Sequence, residues 1–298
     1  MIDVAILGSG PAALTAALYT ARAGLKTVVY EKSIIGGLTA IISEIENFPA
    51  FTGTGSELAE KLEEQATRFG ATIEYGECSG ILRKDGSFIL SIDDEPVEAR
   101  SIIVATGSEP RKLGIPGEDS GGIHFCATCD GAFYKDKSLV VIGGANSAVQ
   151  ESFFLLQYAK QVTIVSRSPL RASKTLLDRL ATEPRIKTII GETPVEYVIE
   201  DGRAVGLRVA KDSRKRVVKA DGFFIFIGYT PSTSCLDQSG VDLSDKGYII
   251  TDQTGQTSIK GIFAAGDIVE GVYKQAVIAA GGGATAAMSA EAYLLSQK

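Results

Sequence analysis

A glycine-rich pattern that occurs twice with the same spacing is the strongest constraint on how this chain folds. The first copy runs from Gly8 to Glu31 and the second from Gly143 to Ser166, and each follows a short apolar run. An apolar strand, a glycine turn and a helix start together present backbone N–H groups to a phosphate. Each copy therefore predicts a βαβ unit of the nucleotide-binding type, and their equal length indicates an internal duplication.

The first copy has the parts that nucleotide binding by a βαβ unit needs. A strand at Ile2–Leu7 enters the loop, and the alanine-rich helix that follows is expected to run to Ala23 before Gly24. A second strand at 26–30 ends in Glu31, whose carboxylate suits a ribose hydroxyl. The candidate phosphate-loop residues are Gly8, Ser9, Gly10, Pro11, Ala12 and Ala13.

The second copy keeps the strand, loop and helix but differs at two positions. Ala145 replaces the glycine that allows close approach of a pyrophosphate, and Ser166 stands where an acid would hold the ribose of NAD. Arg167 and Arg171 are either phosphate ligands or solvated surface side chains, and the sequence leaves both interpretations open.

Between the two copies lies the segment 126–131, which reads CATCDG. Two residues between Cys126 and Cys129 allow a disulfide that forms and reopens locally, and Asp130 can carry a proton. The alternatives are a zinc knuckle and an inert structural pair. Zinc needs about four ligands, and His124 adds at most a third. The sequence therefore favours a redox-active disulfide and no metal.

Three residues outside that motif also carry expectations. His124, the only histidine, either tunes a thiolate or docked partner near neutral pH or is a simple loop contact. Cys78 and Cys235 are expected to stand alone as small buried residues.

The pattern along the chain predicts an α/β fold with two Rossmann-like nucleotide-binding domains, the second inserted into a discontinuous first. Proline- and glycine-rich segments at 109–119 and 228–247 indicate the two crossings, so the expected domains are 1–112 with 243–298, and 113–242. Residues 36–49 are expected to be rich in loops. The other predicted helices are 55–69, one that follows the loop 143–148 and runs to residue 159, and the alanine-rich part of 271–295. An apolar run at 101–107 stops at a glycine, and the predicted strands are 72–97 (several), 138–142, 162–165, 203–209, 216–218, 223–228, 247–251 and 257–267.

Composition and charge exclude several classes of protein. With 298 residues and 45% hydrophobic content the chain can bury a substantial core, and no apolar run reaches the roughly 18 residues that span a bilayer. A net charge of -6 argues against general nucleic-acid binding. Four cysteines are too few for a disulfide-stapled secreted scaffold, so a cytoplasmic protein is expected.

These residues resemble the low-molecular-weight thioredoxin reductases over essentially the whole chain. The resemblance implies FAD bound to the discontinuous first domain, an inserted domain that carries the disulfide, thioredoxin as partner, and a homodimer. The motifs that carry it, in chain order, are the first loop and the segments 44–49, 105–107, 126–131, 263–267 and 275–277.

The resemblance also assigns roles to individual residues. Cys129 corresponds to the thiol that receives electrons from the flavin, Cys126 to the thiol that attacks thioredoxin, and Asp130 to the acid that protonates the departing thiolate. Gly8, Gly10 and Ala13 correspond to the FAD pyrophosphate site, Glu31 to its ribose site, Asp267 to the ribityl and phosphate region, and Asn47, Gln275 and Ala276 to the flavin ring. The remaining expected FAD-binding residues are Pro11, Ala12, Gly37, Leu38, Ala105, Thr106, Gly107, Gly266 and Lys274.

The electron donor is where the chain departs from the family pattern. The family's NADPH site has a glycine at position 145 and a run His-Arg-Arg-x-x-x-Arg that begins at position 166, where this chain has Ser166 and Ser168. Each lost charge-assisted contact costs about 1.5–3 kcal/mol. We therefore expect the branch that is reduced by ferredoxin. The alternatives are an NADPH-dependent reductase with an altered 2′-phosphate site, and a flavin redox sensor or binding protein that does not turn over.

Overall fold

The computed structural model describes residues 1–42, 45–271 and 273–297, with the side chain of Cys129 outside that description. The chain forms two compact units: unit 1 is Met1–Glu109 with Thr230–Lys298, and unit 2 is Pro110–Tyr229. The return to unit 1 lies at residue 230 and not at the expected 243. The reason is that Cys235, Leu236 and Val241 are buried in the core of unit 1.

The elements follow one another in chain order through unit 1, unit 2 and unit 1 again. The first part of unit 1 contains β1 (Ile2–Leu7), α1 (Pro11–Arg22), β2 (Thr27–Glu31), β3 (Ile45–Phe48), β4 (Phe51–Gly53), α2 (Gly55–Arg68), β5 (Thr72–Tyr75), β6 (Cys78–Lys84), β7 (Ser87–Ile92) and β8 (Glu95–Val104). The first crossing contains β9 (Ser108–Pro110). Unit 2 contains β10 (Ile123–His124), α3 (Ala127–Asp130), β11 (Ser138–Ile142), α4 (Asn146–Leu155), β12 (Gln161–Ser166), α5 (Lys174–Ala181), β13 (Ile186–Ile190), β14 (Thr193–Glu200), β15 (Arg203–Lys211), β16 (Arg214–Lys219) and β17 (Gly222–Ile225). The second crossing contains β18 (Tyr229–Pro231), and unit 1 ends with β19 (Ile262–Ala264) and α6 (Ala276–Ser296).

The sheet of unit 1 branches at its longest strand, β8. Strands β5, β2, β1 and β8 run parallel in that order. The last part of β8 pairs in parallel with β19, whereas its first part pairs antiparallel with β7, which continues to β6. The carboxyl ends of the parallel strands lie at one edge of the sheet, where such folds bind ligands.

Side chains of β1 alternate between two cores, one on each face of that sheet. Val4 and Ile6 pack with small residues of α1 and α6, while Ala5 and Leu7 pack on the opposite face. Helix α1 begins at Pro11, as suits a residue whose fixed φ favours the first helical position. In the part of the chain that the structure describes, no helix has the length and apolarity to cross a bilayer.

Unit 2 repeats the βαβ order of unit 1. Its parallel sheet has the strand order β13-β12-β11-β17-β10, and a separate antiparallel sheet is formed by β14, β15 and β16. Strand β11, helix α4 and strand β12 correspond to β1, α1 and β2, because both strand pairs are parallel neighbours. The predicted α/β class with two Rossmann-like folds is confirmed.

Several predicted boundaries differ from the structure. The predicted strand at 247–251 is wrong, because Ile249 makes only isolated bridges there. The predicted strand at 257–267 is confined to Ile262–Ala264, since the Thr257 hydroxyl holds the preceding residues in a turn through hydrogen bonds to the carbonyls of Ile259 and Ile262. Helix α4 ends at Leu155 and not at Ala159, because the carbonyls of its last turn accept from residues 157 and 158 in tight turns.

The expected loop at 36–49 contains more structure than its composition indicated. Gly37–Thr39 is a short 3-10 helix, and β3 and β4 form a hairpin. Glu44, named in the sequence motif, lies outside the described residues. The start of α2 also has a capping box, in which Thr54 and Glu57 each accept from the other's backbone N–H.

Candidate active site

The first phosphate loop depends on a glycine that no other residue can replace without strain. Gly8 has φ +92°, and a Cβ atom there would lie 2.5 Å from the carbonyl oxygen of Ala105. The loop therefore packs directly on the end of β8, where Thr106 donates its hydroxyl proton to the carbonyl of Ser232 at 2.8 Å. Gly107, next to it, has φ +66° and accepts from the backbone N–H of Ser232.

The start of α1 is open to an anionic ligand. Gly10 is the N-cap, no side chain caps the helix, and its first turn carries no acidic residue. The N–H groups of Ala12 and Ala13 have no partner within the helix, and Pro11 has no N–H group to pair. This arrangement is a general phosphate site, because unpaired N–H groups and the positive end of the helix dipole coincide.

The carboxylate of Glu31 is fixed beside that loop. Its side chain is 7% exposed. The hydroxyl of Ser9 donates to one carboxylate oxygen at 2.5 Å, and the N–H of Ser33 donates to the other at 2.8 Å. Ser9 also accepts from the N–H of Gly36 at 3.1 Å, which brings the segment with Gly37 and Leu38 to the loop. The role of Ser9 was not evident in the sequence.

The end of the chain reaches the same loop through α6 and the turn before it. Gly266 packs against the methyl group of Ala12, and Gly283 of α6 packs against the Ala12 backbone. Asp267 lies in this turn, and burial raises the pKa of its carboxyl group, while the nearby ammonium of Lys274 opposes that shift. Burial in turn lowers the pKa of Lys274.

Lys274 and Gln275 fix the segment before α6. The Lys274 ammonium donates to the carbonyls of Asp267 at 3.1 Å and Val269 at 2.5 Å. Gln275 is the N-cap of α6, which starts at Ala276. Its side-chain oxygen accepts from the amide of Asn47 at 3.0 Å. Residues predicted for the flavin ring from opposite ends of the chain are therefore in direct contact.

The CATC motif lies in unit 2 at the short helix α3. Cys126 is disulfide-bonded and immediately precedes the helix. The side chain of Cys129 lies outside the described residues, although its backbone is helical. The N–H of Asp130 donates to the carbonyl of Cys126 at 3.3 Å, which closes the turn that holds the motif.

A chain of polar groups leads from Asp130 into the core of unit 2. His124 Nδ1 lies 3.1 Å from Oδ2 of Asp130, and its Nε2 lies 2.6 Å from the hydroxyl of Tyr134. Arg203 donates to that hydroxyl at 3.5 Å, and the imidazole stacks on Phe224 with ring centroids 5.0 Å apart. His124 therefore contacts Asp130, Tyr134 and Phe224 at once.

These contacts select one tautomer of neutral His124. Because Arg203 has only donors, the Tyr134 oxygen accepts from it and the Tyr134 proton is directed to Nε2. Nδ1 then carries the imidazole proton and donates to Asp130. Burial raises the pKa of Tyr134, the charge of Arg203 opposes this, and Asp130 and Asp221 add to it. The tyrosine therefore stays a neutral donor.

The loop of the second copy is covered by its own chain. The side chain of Ser166 packs against Gly144 and donates to the carbonyl of Ser168 at 2.7 Å. The N–H of Arg171 donates to the carbonyl of Gly144 at 2.6 Å, and Asn146 accepts from the N–H of Ser173 at 2.7 Å. Ala145 is the N-cap of α4, and the side chains of Arg167 and Arg171 are exposed.

Comparison with known proteins identifies the family to which the chain belongs. Residues 2–283 match the family model described as pyridine nucleotide-disulphide oxidoreductase. The chain belongs to this family. Listeria monocytogenes thioredoxin reductase is 40% identical over 300 residues, which cover 98% of this chain and 93% of that protein. Mycolicibacterium smegmatis thioredoxin reductase is 39% identical over 304 residues, which cover 99% and 97%.

Solved structures of this oxidoreductase family agree with the fold. The crystal structure of Lactococcus lactis thioredoxin reductase has a TM-score of 0.94 at 36% identity and covers 99% of this chain and 100% of that chain. That of T. acidophilum thioredoxin reductase has a TM-score of 0.91 at 33% identity, with 100% and 99% covered. The resemblance found in the sequence is therefore confirmed.

Within this disulphide oxidoreductase the predicted residues form two groups. Contacts in unit 1 link the loop 8–13 with Glu31, Gly37 and the segments at 105–107 and 266–267, and they also link Asn47 with 274–276. Cys126 and Asp130 belong to unit 2, together with three residues whose contacts the sequence did not predict: His124, Tyr134 and Arg203. Only the proximity of His124 to the motif gave a signal.

Proposed function

We propose that the chain is a flavin-dependent thioredoxin-disulfide reductase that passes electrons from a donor through FAD and the Cys126–Cys129 disulfide to thioredoxin. The observation that carries the proposal is the disulfide-bonded Cys126 at the start of α3 with Asp130 one turn later, held by His124. The thioredoxin reductases among its relatives, each matched over nearly the full length of both chains, support the same partner.

The residues of unit 1 fit FAD. The open N-terminus of α1 suits a pyrophosphate, and Glu31 keeps free lone pairs for a ribose hydroxyl after its two internal hydrogen bonds. Bound FAD would supply two-electron transfer to the disulfide. The residues proposed to hold it are Gly8, Gly10, Pro11, Ala12, Ala13, Glu31, Gly37, Leu38, Asn47, Ala105, Thr106, Gly107, Gly266, Asp267, Lys274, Gln275 and Ala276.

The chain's own groups carry out the exchange with thioredoxin. The thiolate of reduced Cys126 attacks one sulfur of the thioredoxin disulfide, and the thioredoxin thiolate that leaves takes a proton from Asp130. The carboxylate of Asp130 then takes the proton of Cys129, Cys129 attacks the sulfur of Cys126, and the second thioredoxin sulfur leaves as a thiolate that takes this proton, which restores the enzyme disulfide. His124 orients Asp130 through its Nδ1 hydrogen bond, and a proton from solvent restores the acid for the next exchange.

We propose ferredoxin, a small iron–sulfur protein, as the electron donor. The Ser166 hydroxyl donates to the backbone carbonyl of Ser168, and neither serine offers a cation for a 2′-phosphate or an acid for the ribose of NAD. Ala145 adds a methyl group at the N-cap, where a pyrophosphate needs close backbone approach. The exposed Arg167, Arg171 and Lys174 are available to an acidic donor, so this association should weaken with salt.

Two further properties belong to the proposal: the chain acts as a homodimer and in the cytoplasm. On α6, Ile278, Met288 and Leu295 are 50%, 60% and 57% exposed and fall on one helical stripe. Exposed apolar stripes of this kind suit a subunit interface. Light scattering of the native protein and of Met288→Glu tests the dimer, because a charge in the stripe should dissociate it.

The deciding experiment follows the flavin absorbance anaerobically. The purified protein is mixed with NADPH, NADH or reduced ferredoxin, and oxidised thioredoxin is then added. Rapid bleaching by ferredoxin alone, followed by thioredoxin reduction, is the expected result. Full bleaching by micromolar NADPH would establish an NADPH-dependent reductase instead. Bleaching without thioredoxin reduction would indicate a flavin redox sensor. The bound flavin is identified after heat denaturation, and recovery of FMN or of no flavin would contradict the assignment of FAD.

A charge variant separates the ferredoxin site from general effects. Arg171→Ala should slow ferredoxin-driven reduction about fivefold at low ionic strength, the equivalent of about 1 kcal/mol, and the difference should vanish at high salt. Arg214→Ala, an equally exposed arginine of the same unit, is the matched control. Equal effects of the two variants would argue against a docking site at Arg171.

A further inference from the structure

A second pair of cysteines meets in unit 1, apart from the CATC motif. Cys78 is the first residue of β6, and Cys235 lies in the 3-10 turn Ser234–Leu236 that follows the return from unit 2. Both are free cysteines, β6 packs against that turn, and Cys78 packs against the core cluster that contains Cys235. The expectation that each stands alone is therefore wrong. The sequence gave no sign of the pair because 157 positions separate the two residues.

The two thiols have different surroundings. Cys235 is 3% exposed among the core residues of unit 1, whereas Cys78 is only partly buried at the edge of that core. The hydrogen bond from Cys235 lowers the pKa of Cys78. The same bond raises the pKa of Cys235, and burial raises it further. Cys78 is therefore the more accessible and more acidic thiol, and Cys235 is the protected thiol behind it.

We propose that Cys78 and Cys235 form a second thiol–disulfide site, which exchanges with low-molecular-weight disulfides independently of Cys126 and Cys129. The Cys78 thiolate attacks one sulfur of a disulfide RSSR, so a Cys78–SR bond forms and RS⁻ leaves and takes up a proton. Cys235 then loses its proton, attacks the Cys78 sulfur and releases the second RSH. The protein loses two electrons, and RSSR takes them up with one proton from Cys235 and one from solvent to become two RSH.

The geometry supports closure rather than a lasting adduct. Cys78 and Cys235 lie on two elements that pack against each other within one core cluster, which is the proximity that a disulfide requires. The Cys78 sulfur also lies 3.4 Å from the carbonyl of Gly80, so the β6 backbone already orients it. The bridge would join β6 to the segment that re-enters unit 1.

The test uses the flavin-containing protein with Cys126→Ser and Cys129→Ser, so that Cys78 and Cys235 are the only thiols. It is incubated with oxidised glutathione and digested without reductant for mass spectrometry. Both thiols should disappear together and yield one Cys78–Cys235 linked peptide pair. In this background Cys235→Ser should retain one glutathionyl group on Cys78, whereas Cys78→Ser should leave Cys235 unmodified until urea unfolds the protein.

Other results overturn the proposal. Stable glutathionyl groups on both cysteines would mean two independent thiols, and loss of thiols only after unfolding would mean an inert buried pair. Cys235→Ala, with circular dichroism and flavin absorbance as folding checks, distinguishes a misfolded variant from a missing exchange. The readout is the bond itself, so the result does not depend on thioredoxin reductase activity.

Discussion

His124 Nδ1 lies 3.1 Å from Oδ2 of Asp130, so the single histidine of the chain holds the acid that follows the CATC motif. Tyr134 fixes the other ring nitrogen at 2.6 Å, and Arg203 fixes the Tyr134 oxygen. An acid positioned in this way can deliver its proton without first reorienting, which is what general acid catalysis requires.

Removing the acid tests the centre of this arrangement. Asp130→Asn keeps the size and the hydrogen bond to His124 but cannot deliver a proton. Thioredoxin reduction should slow by about 10²–10⁴-fold, while flavin content and reduction of the enzyme disulfide remain unchanged. Single-turnover stopped-flow measurements with pre-reduced enzyme give the rate of the exchange step directly. A normal rate would exclude Asp130 as the acid.

The His124→Gln variant should change the pH dependence more than the maximum rate. Histidine is the side chain whose charge ordinarily changes between pH 5 and 8, and Asp130, Tyr134 and Arg203 are the polar groups that contact it here. The pH–rate profile of thioredoxin reduction should flatten over that interval. Tyr134→Phe should change the profile in part, and Tyr158→Phe serves as the control that loses a hydroxyl elsewhere. An unaltered profile would leave His124 a purely structural residue.

The two cysteines of the motif should give different single variants. Cys129→Ser leaves Cys126 as the attacking thiol and should trap a mixed disulfide with thioredoxin, which non-reducing electrophoresis detects. Cys126→Ser should trap none, yet still allow Cys129 to interact with the flavin. Normal turnover of both variants with chemically reduced flavin would show that this disulfide does not take part in the reaction.

Glycine 8 should be required for flavin binding. Gly8→Ala introduces a Cβ atom that would lie 2.5 Å from the Ala105 carbonyl oxygen, in addition to its positive φ. Gly24→Ala is the matched control, because Gly24 also has positive φ but no atom lies within 4 Å of an added Cβ. The control should lose about 1–2 kcal/mol of stability and remain yellow, whereas Gly8→Ala should be purified without flavin. Equal flavin content in both variants would contradict the assignment.

The pKa shift of Cys78 predicts how its alkylation depends on pH. A thiol of lowered pKa holds a larger thiolate fraction near pH 7 than an ordinary thiol with pKa about 8.5, so iodoacetamide should label Cys78 first. Cys235→Ala removes the hydrogen bond and should shift the alkylation midpoint to higher pH. Cys235→Ser retains a donor and should shift it less. Faster labelling of Cys235 than of Cys78 would reverse the assignment.

Hydrophobic periodicity predicted correctly those helices and strands whose formation depends mainly on residues close together in the sequence. The strand at 138–142 matches β11 residue for residue, and α2 ends one residue before the prediction. At 247–251, β-type composition was present, yet a strand needs a continuous neighbour and Ile249 has only single bridges. The sequence shows that the residues of this segment favour a strand, but it does not show whether a neighbouring strand is available to pair with them.

The site divides in the same way. Gly8 and the CATC motif were identified because a tight turn and a short disulfide depend on spacing within a few residues. Tyr134 comes to His124, and Arg203 to Tyr134, from separate elements, and Cys235 joins the core cluster against which Cys78 packs after the whole of unit 2 has intervened in the chain. Such contacts follow from strand order, which a single sequence does not contain.

The pairing of β8 with β19 determines the order in which the chain can fold during synthesis. Val104 pairs with Ala264, so the sheet of unit 1 cannot be completed until the ribosome has made the segment that follows unit 2. Unit 2 has all the strands of its parallel sheet once Ile225 has emerged. At about 5–20 residues per second, the first part of unit 1 waits roughly 8–30 seconds with the β19 side of β8 unpaired. The inserted unit is therefore expected to fold first, and the nascent chain has a period in which a chaperone would protect β8.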